Sequence, residues 1–318
     1  MMSYQAVLPL LPPRIVGRPD PDADALRCRA GVEYHEIHTR EALNRCTSTS
    51  MPFDWTLNPY RGCEFGCTYC YARYTHRFFD LAQWQDFESK IFVKTDAARA
   101  LRRQLRRRDL RGQSIAIGTA TDPYQPAEHH YRITRSLLEV FREAEGLKLE
   151  ITTKSPLIAR DLDLLVELDQ RHVVSVNMTI TTVDPHLARR IERHAPDPRA
   201  RLRTVEKLAR EGIATSLFCM PVMPGINDGE DRMRPLMEAA REAGAVNVVA
   251  APLFLRGDST RSRFLPWLAE EFPHLARRYR ALYSWRDHLR EEEKQVVMAA
   301  YQRLKLEYGF PQAVPGRG

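Results

Sequence analysis

Nowhere in its 318 residues does the chain carry an apolar run of the roughly 20 positions that a membrane-spanning helix needs. Its start, Met1-Met2-Ser3-Tyr4, lacks the charged segment and following apolar stretch of a secretory leader. These absences argue against a helical membrane protein and a secreted one, and a cytoplasmic, reduced setting is expected. Cysteine is scarce, with six in all, and no pair of C-x2-4-C elements recurs along the chain. A disulfide framework is excluded because three of the six crowd into one short loop, where they cannot all pair.

That loop is the most informative stretch present. It reads Asn58-Pro-Tyr-Arg-Gly-Cys-Glu-Phe-Gly-Cys-Thr-Tyr-Cys-Tyr71, with Cys63, Cys67 and Cys70 at spacings of four and three. Gly62 and Gly66 precede the first two cysteines and let the backbone curl around a bulky inorganic core. Cubane iron–sulfur clusters usually take four thiolates. Here the loop supplies three, and the next cysteine downstream is Cys219. An iron left with an open position does chemistry rather than store electrons. The competing reading is a zinc knot completed by Cys46 or His76, which the lack of a second cysteine pair disfavours. Cys28 and Cys46 read as bystander thiols.

An apolar fraction of 43% is ordinary for a globular core, and the length allows one large domain with extensions. The net charge of +7 rests on arginine, with Arg102, Arg103, Arg106, Arg107, Arg108 and Arg111 in one segment. At helical spacing 102/106, 103/107 and 107/111 form a basic face, either a phosphate-contacting surface or a solvated outer helix face. Aromatics are not interleaved with these arginines, so the stacking half of a single-strand-binding signal is missing.

Residues 1 to about 30 are proline-rich and irregular, and 33–45 suggests a short strand and helix. Strands are expected at 55–60, 114–121, 147–153, 173–182, 213–220 and 246–255. Helices are expected near 133–144, 157–170, 185–193, 200–212 and 231–244. Strand alternating with helix argues for parallel β/α units. Six strands fall short of a closed eightfold barrel, and periodicity alone does not separate a partial barrel from an open doubly wound sheet. Beyond Leu255 the pattern turns helical, over 264–283 and 286–308 joined near Ser284. Leu289, Val296, Val297, Ala300, Tyr301 and Leu304 are the expected buried stripe of the last helix.

The CxxxCxxC spacing, with Tyr69 just before the third cysteine, resembles the signature of the radical S-adenosylmethionine (SAM) superfamily. The segments Pro52–Cys63, Phe87–Lys94, Gly118–Glu128, Ile151–Ser155, Ser175–Thr182 and Pro221–Asp228 resemble, in that order, the subgroup related to spore photoproduct lyase. The resemblance covers about residues 32–256. It implies a partial (β/α)6 TIM-like barrel over 46–256, with an N-terminal extension (1–45) and a C-terminal helical segment (257–318). It also implies a [4Fe–4S] cluster on Cys63, Cys67 and Cys70, whose open iron chelates SAM. One electron from a flavodoxin or ferredoxin then cleaves SAM to methionine and a 5′-deoxyadenosyl radical, which takes hydrogen from the substrate.

In parallel β/α folds, ligands bind at the carboxyl ends of the strands. The resemblance places Thr119, Thr121 and Asp122 at the SAM amino group and Lys154 at its carboxylate. It puts Ser175, Asn177 and Thr179 toward the ribose or sulfonium, and Pro221 and Tyr69 beside adenine. The lyase's downstream donor cysteine has no match between Cys70 and Cys219. Cys219 as an unorthodox hydrogen donor and Tyr71 as a radical relay are therefore the catalytic candidates, against a buried inert thiol and a packing tyrosine. Glu128, His129 and His130 read as polar cover of a helix start. Three functions stay open. The first is a radical SAM enzyme acting on a nucleic acid in lesion repair or modification, with steeply salt-dependent binding. The second is one acting on a small molecule or peptide, and the third a non-catalytic iron–sulfur redox protein.

Overall fold

The computed structural model of the chain describes residues 31–48, 51–283 and 285–311; the proline-rich lead-in, Cys28 and the joint at Ser284 lie outside the described residues. The strands are β1 (Glu33–Ile37), β2 (Leu43–Arg45), β3 (Trp55–Leu57), β4 (Tyr60–Arg61), β5 (Lys90–Lys94), β6 (Ser114–Ile117), β7 (Lys148–Thr153), β8 (Val173–Thr179), β9 (Ala214–Val222) and β10 (Asn247–Pro252). The main sheet runs β2-β3-β6-β7-β8-β9-β10, parallel throughout except for the antiparallel β2–β3 pair. A small second sheet, β1-β5-β4, pairs β5 in parallel with β1 and antiparallel with β4.

Alternation along each strand decides which face meets the helices. On β8, Val174, Val176 and Met178 are at most 1% exposed, while Ser175, Asn177 and Thr179 take the opposite face. Register carries this pattern across the sheet. Glu150 pairs with Ser175, Thr152 with Asn177, Asn177 with Ser216, and Ser216 with Asn247. The helix-facing rows, Leu149, Ile151, Val176, Leu217 and Val248 among them, join one core with side chains of the helices Ile133–Phe141, Leu162–Asp169, Pro198–Arg210 and Glu230–Glu242. Each such burial contributes roughly 1.5–3 kcal/mol, so a one-residue slip of register would be heavily penalised. Helices thus cover one face and polar side chains line the other, the arrangement of a partial TIM-like barrel rather than a doubly wound sheet. Among the described residues β10 and β2 do not pair, and the barrel stays open.

The expected strands are present, most of them shorter, while β9 runs two residues further than expected, to Val222. The one expected over 55–60 breaks at Asn58-Pro59, and Tyr60–Arg61 joins the second sheet instead. The 114–121 strand stops at Ile117, because Gly118 turns at φ +89° with Thr152 O and Pro123 Cδ only 2.6 Å from where a Cβ would stand. Residues 33–45 form two strands and no helix.

The C-terminal expectation needs two corrections. The 264–283 helix is two helices, Gly257–Glu271 and Ala276–Tyr283, parted at Phe272-Pro273, where proline removes a backbone donor. The last helix, Glu291–Glu307, packs on β10 and on Glu230–Glu242, with Tyr301 OH donating to Val248 O at 2.9 Å. It buries Val297, Met298, Tyr301 and Leu304; Val296 is 73% exposed and Leu289 precedes the helix. It is therefore the outer helix of the β10 unit, while Gly257–Tyr283 packs beside the cysteine loop.

The arginine segment also departs from expectation. The helix is Ala97–Arg107, so Arg108 and Arg111 lie beyond it and the 107/111 pair does not form on a helix. Arg102 pairs with Glu143 at 2.6 Å and Arg111 with Asp109 at 2.8 Å. The segment leads into the amino end of β6, beside the turns that precede β7 and β8.

Candidate active site

The cysteine loop leaves β4 at the carboxyl end of the barrel and is fastened on three sides. Gly62 sits at φ +85°, where a Cβ would stand 2.9 Å from Lys90 O and 3.0 Å from Phe87 O, and Cys63 N donates to Phe87 O at 2.9 Å. Only glycine allows that approach. Gly62 O accepts from Thr121 Oγ1 at 2.5 Å and from Gln125 Nε2 at 3.1 Å. Gln125 Oε1 in turn accepts from Glu64 N at 3.1 Å, and Glu64 Oε1 from Ala127 N and Tyr34 OH, both at 3.0 Å. At the far side Arg73 donates to Cys67 O at 2.7 Å while pairing with Glu88 at 2.5 Å. Thr68 N donates to Ile191 O at 3.0 Å.

Cys67 is buried, and Cys63 and Cys70 are partly so. Burial pushes the Cys63 thiol up, and that of Cys67 up to about 12, against the pull of the Lys154 ammonium. Among the described residues no three His, Cys, Asp or Glu side chains converge as ligands of a single ion. His76 is turned elsewhere, its Nε2 lying 2.9 Å from Lys90 O. His76 is therefore not turned to complete a zinc knot with the loop. Three thiols on one glycine-pinned loop suit a polynuclear core.

Beneath the loop lies a buried charge cluster that the sequence did not reveal. The Tyr69 hydroxyl donates to Glu192 Oε1, and Glu192 pairs with Arg201 at 2.6 Å, both side chains about 1% exposed. Thr181 Oγ1 donates to the same carboxylate at 3.2 Å. Burial alone would raise the Glu192 carboxyl, but Arg201 and Lys154 hold it below the usual range. Lys154 stands at the end of β7, half-buried, its Nζ 5.7 Å from the centre of the Tyr69 ring. Burial works against its charge, yet Cys67, Glu192 and Asp122 outweigh that and push its pKa up. Among the described residues its ammonium makes no direct ion pair, although Glu192 and Asp122 act on it through space.

The other expected site residues divide by what already engages them. Asp122 is 8% exposed and accepts from Thr153 Oγ1 at 2.7 Å, Lys154 N at 2.8 Å and Tyr124 N at 2.9 Å. Thr121 is committed to Gly62, and Thr119 Oγ1 accepts from Asn58 Nδ2 at 3.1 Å. Ser175, Asn177 and Thr179 line the polar face as the alternation predicts. Pro221 O accepts from Asn227 Nδ2 at 3.1 Å, which shapes the turn after β9. Tyr71, directly after Cys70, is 40% exposed, and its hydroxyl donates to Thr119 O.

Two of the singled-out residues are fully buried. Cys219 is fully buried on the helix-facing row of β9, its Sγ 4.0 Å from Met233 Sδ and 3.8 Å from Thr181 O. It alternates with Phe218 and Met220, so it points away from the polar face and into the helix-packed core, as the buried-thiol alternative has it. Glu128 does cover a helix start, but from a buried position. Its carboxylate accepts from Thr134 N at 2.9 Å and Arg135 N at 3.2 Å at the amino end of Ile133–Phe141, accepts from the Tyr60 hydroxyl, and pairs with Arg160 at 2.9 Å.

The radical SAM superfamily model matches residues 57–251, more than half of the chain. The chain belongs to the radical SAM superfamily. An uncharacterized protein of Mycobacterium tuberculosis is 38% identical over 270 residues, covering 82% of this chain and 79% of the relative. Another, from Methanocaldococcus jannaschii, is 28% identical over 201 residues, covering 63% and 71%. Among solved structures, spore photoproduct lyase complexed with dinucleoside spore photoproduct superposes with a TM-score of 0.62 at 14% identity, over 86% of this chain and 79% of that one. A double mutant of the lyase with bound AdoMet and dinucleoside spore photoproduct gives 0.61 at 14%, over the same shares. At that identity the likeness speaks for the fold.

A radical SAM enzyme takes a [4Fe–4S] cluster and SAM as cofactors, and the residues present fit them. Cys63, Cys67 and Cys70 on the pinned loop would hold the cluster, and the Lys154 ammonium, in the field of Glu192 and Asp122, stands beside Tyr69. Glu192 and Arg201 were missed because each carries meaning only through its partner, and nothing in their local sequence marks them.

Proposed function

We propose that this radical SAM enzyme acts on a base of a nucleic acid strand, in repair or modification of a lesion. When bound, cluster and SAM supply a 5′-deoxyadenosyl radical, and an external flavodoxin or ferredoxin supplies the electron. Cys63, Cys67 and Cys70 would hold the cluster. Lys154 would take the SAM carboxylate as a compact point charge. Asn177, Thr179 and Ser175 would meet the ribose or sulfonium, with Thr119 near the amino group and Tyr69 and Pro221 flanking adenine. Asp122 and Thr121 act one step back, by holding the Lys154 backbone and the cysteine loop.

The observation that carries the substrate class is Tyr71. Its ring adjoins Cys70, lies partly open to solvent, and sits 6.1 Å from the Phe254 ring. Two aromatic faces at the mouth of a radical site suit a flat base drawn out of its strand. The lyase fold likeness supports the same reading. With Cys219 packed in the core, the Tyr71 hydroxyl would pass the hydrogen atom.

The test is anaerobic turnover with dithionite, following 5′-deoxyadenosine and deuterium from labelled substrates. Damaged DNA should raise 5′-deoxyadenosine output and transfer its label. Stimulation by metabolite pools, with none by nucleic acid, would replace this reading with the small-molecule one.

A further inference from the structure

The loop entering the last helix presents Trp285 with 97% of its surface exposed, although tryptophan is highly buried on average. The loop itself is anchored. Asp287 accepts from Arg261 and, at 3.3 Å, from Gly257 N, and its carbonyl accepts from Leu255 N at 3.0 Å. His288 stacks on Phe254 with centroids 4.2 Å apart and planes 8° from parallel. Phe254 is the ring that faces Tyr71. A rigid chain of contacts thus joins the third cluster cysteine to a loop whose outermost side chain is a bare indole. Two residues beyond Phe254, Arg256 lies 3.6 Å over the Tyr74 ring. Among the described residues its guanidinium has no ion-pair partner.

The neighbours decide what such an indole is for. Its loop companions are Arg286, which pairs with Glu293 at 2.9 Å, Asp287, His288, Arg290 and Leu289, the last half-buried against the core. The loop therefore offers no second exposed apolar side chain of the kind a protein–protein interface core would need. A lone π face beside guanidinium groups suits a nucleotide, with a base to stack and a phosphate to neutralise.

We propose that loop 285–290 is the nucleotide-stacking rim of the substrate site, with the Trp285 indole against the base flanking the reacting one and Arg256 at its phosphate. The inference rests on the nucleic-acid reading above and adds to it where a strand lies outside the barrel mouth.

The experiment uses cluster-loaded enzyme with SAM, under anaerobic conditions, and a fluorescein-labelled single-stranded 12-mer DNA read by anisotropy. Trp285→Ala should weaken binding about tenfold, with Trp285→Phe recovering most of the loss. The wild-type emission should lose its solvent-exposed indole component on adding unlabelled DNA. In turnover, Trp285→Ala should raise the KM for the nucleic acid more than it lowers kcat. Wild-type binding with an unchanged Trp285→Ala affinity would overturn the rim and leave the proposed function standing. A wild type that binds no oligonucleotide would overturn both.

Discussion

Replacing Asp122 by alanine separates two roles that a carboxylate at the end of β6 can play. As a SAM ligand, Asp122 would cost cofactor affinity and little stability. The structure uses it as a latch. Its two oxygens accept from the Thr153 hydroxyl, the Lys154 amide and the Tyr124 amide at 2.7–2.9 Å. Each donor left unsatisfied costs about 1–3 kcal/mol. Water entering the gap and relief of a buried carboxylate, whose pKa burial raises despite those bonds, recover part of the sum. A net loss of about 3 kcal/mol is expected. With a melting entropy of about 2 cal/mol/K per residue, that lowers Tm by about 4–5 °C for a chain of this length. Asp122→Asn keeps one acceptor oxygen but turns an amide toward the Lys154 N–H, and should lose about half as much. The KM for SAM should rise in step, because the Lys154 backbone is freed. Thermal denaturation of the anaerobic protein and SAM titration of 5′-deoxyadenosine formation read the two effects. An unchanged Tm together with abolished SAM binding would refute the latch.

Lys154→Met should raise the KM for SAM by about 10–100-fold, the scale of a lost charge-assisted contact, and shift Tm little; unchanged SAM affinity would remove Lys154 from the site. Cys219→Ala should leave turnover and label transfer intact while lowering stability by about 1–2 kcal/mol through the small cavity at Met233; lost product with normal SAM cleavage would reinstate it as donor. His76 is buried, and burial pulls its imidazole down to about 4. The unfolded chain then binds a proton below about pH 6.5 that the folded one refuses until about pH 4. Stability should therefore fall as pH drops through that window, by up to about 3 kcal/mol, and His76→Asn should flatten the loss in pH-dependent urea melts.

The strands were legible because alternation is a local signal: Val174, Val176 and Met178 announce the buried face of β8. Their ends were less so, since Gly118 stops β6 through its close approach to Thr152 O and Pro123, a contact set by the fold. The cysteine loop, too, was legible locally, since its three thiols and two glycines fall within a few residues. What escaped needs partners far apart in the chain. Glu192 gains its meaning from Arg201 and Tyr69, and Glu64 from Tyr34 and Gln125. Cys219 stayed open between the two faces because one step of strand register sends a side chain to the opposite face. Val296 was misplaced on the last helix, where a shift of the apolar stripe brings Met298 inside.

The arginine segment shows how a charge count can mislead, and it yields a sharp test. Six arginines within one short segment suggest a backbone-binding face and a steep salt dependence. In the fold the segment opens onto the amino ends of the strands, opposite the cysteine loop. At 3.3 Å per residue the six residues of β7 put about 20 Å between the two ends. Glu143 and Asp109 already neutralise Arg102 and Arg111, and Arg108 lies over the Trp55 ring. A strand whose base enters the barrel mouth meets Arg256 and its near neighbours instead. Two or three phosphates neutralised there give a slope of log K against log salt of about −2 for a single strand, whereas six would give about −4. Anisotropy titrations between 50 and 200 mM salt, a range over which multi-phosphate contacts separate clearly, distinguish the two by about an order of magnitude. A slope near −4, lost on replacing Arg106 and Arg107 by glutamine, would place the strand on the far end of the barrel and detach its binding from the radical site.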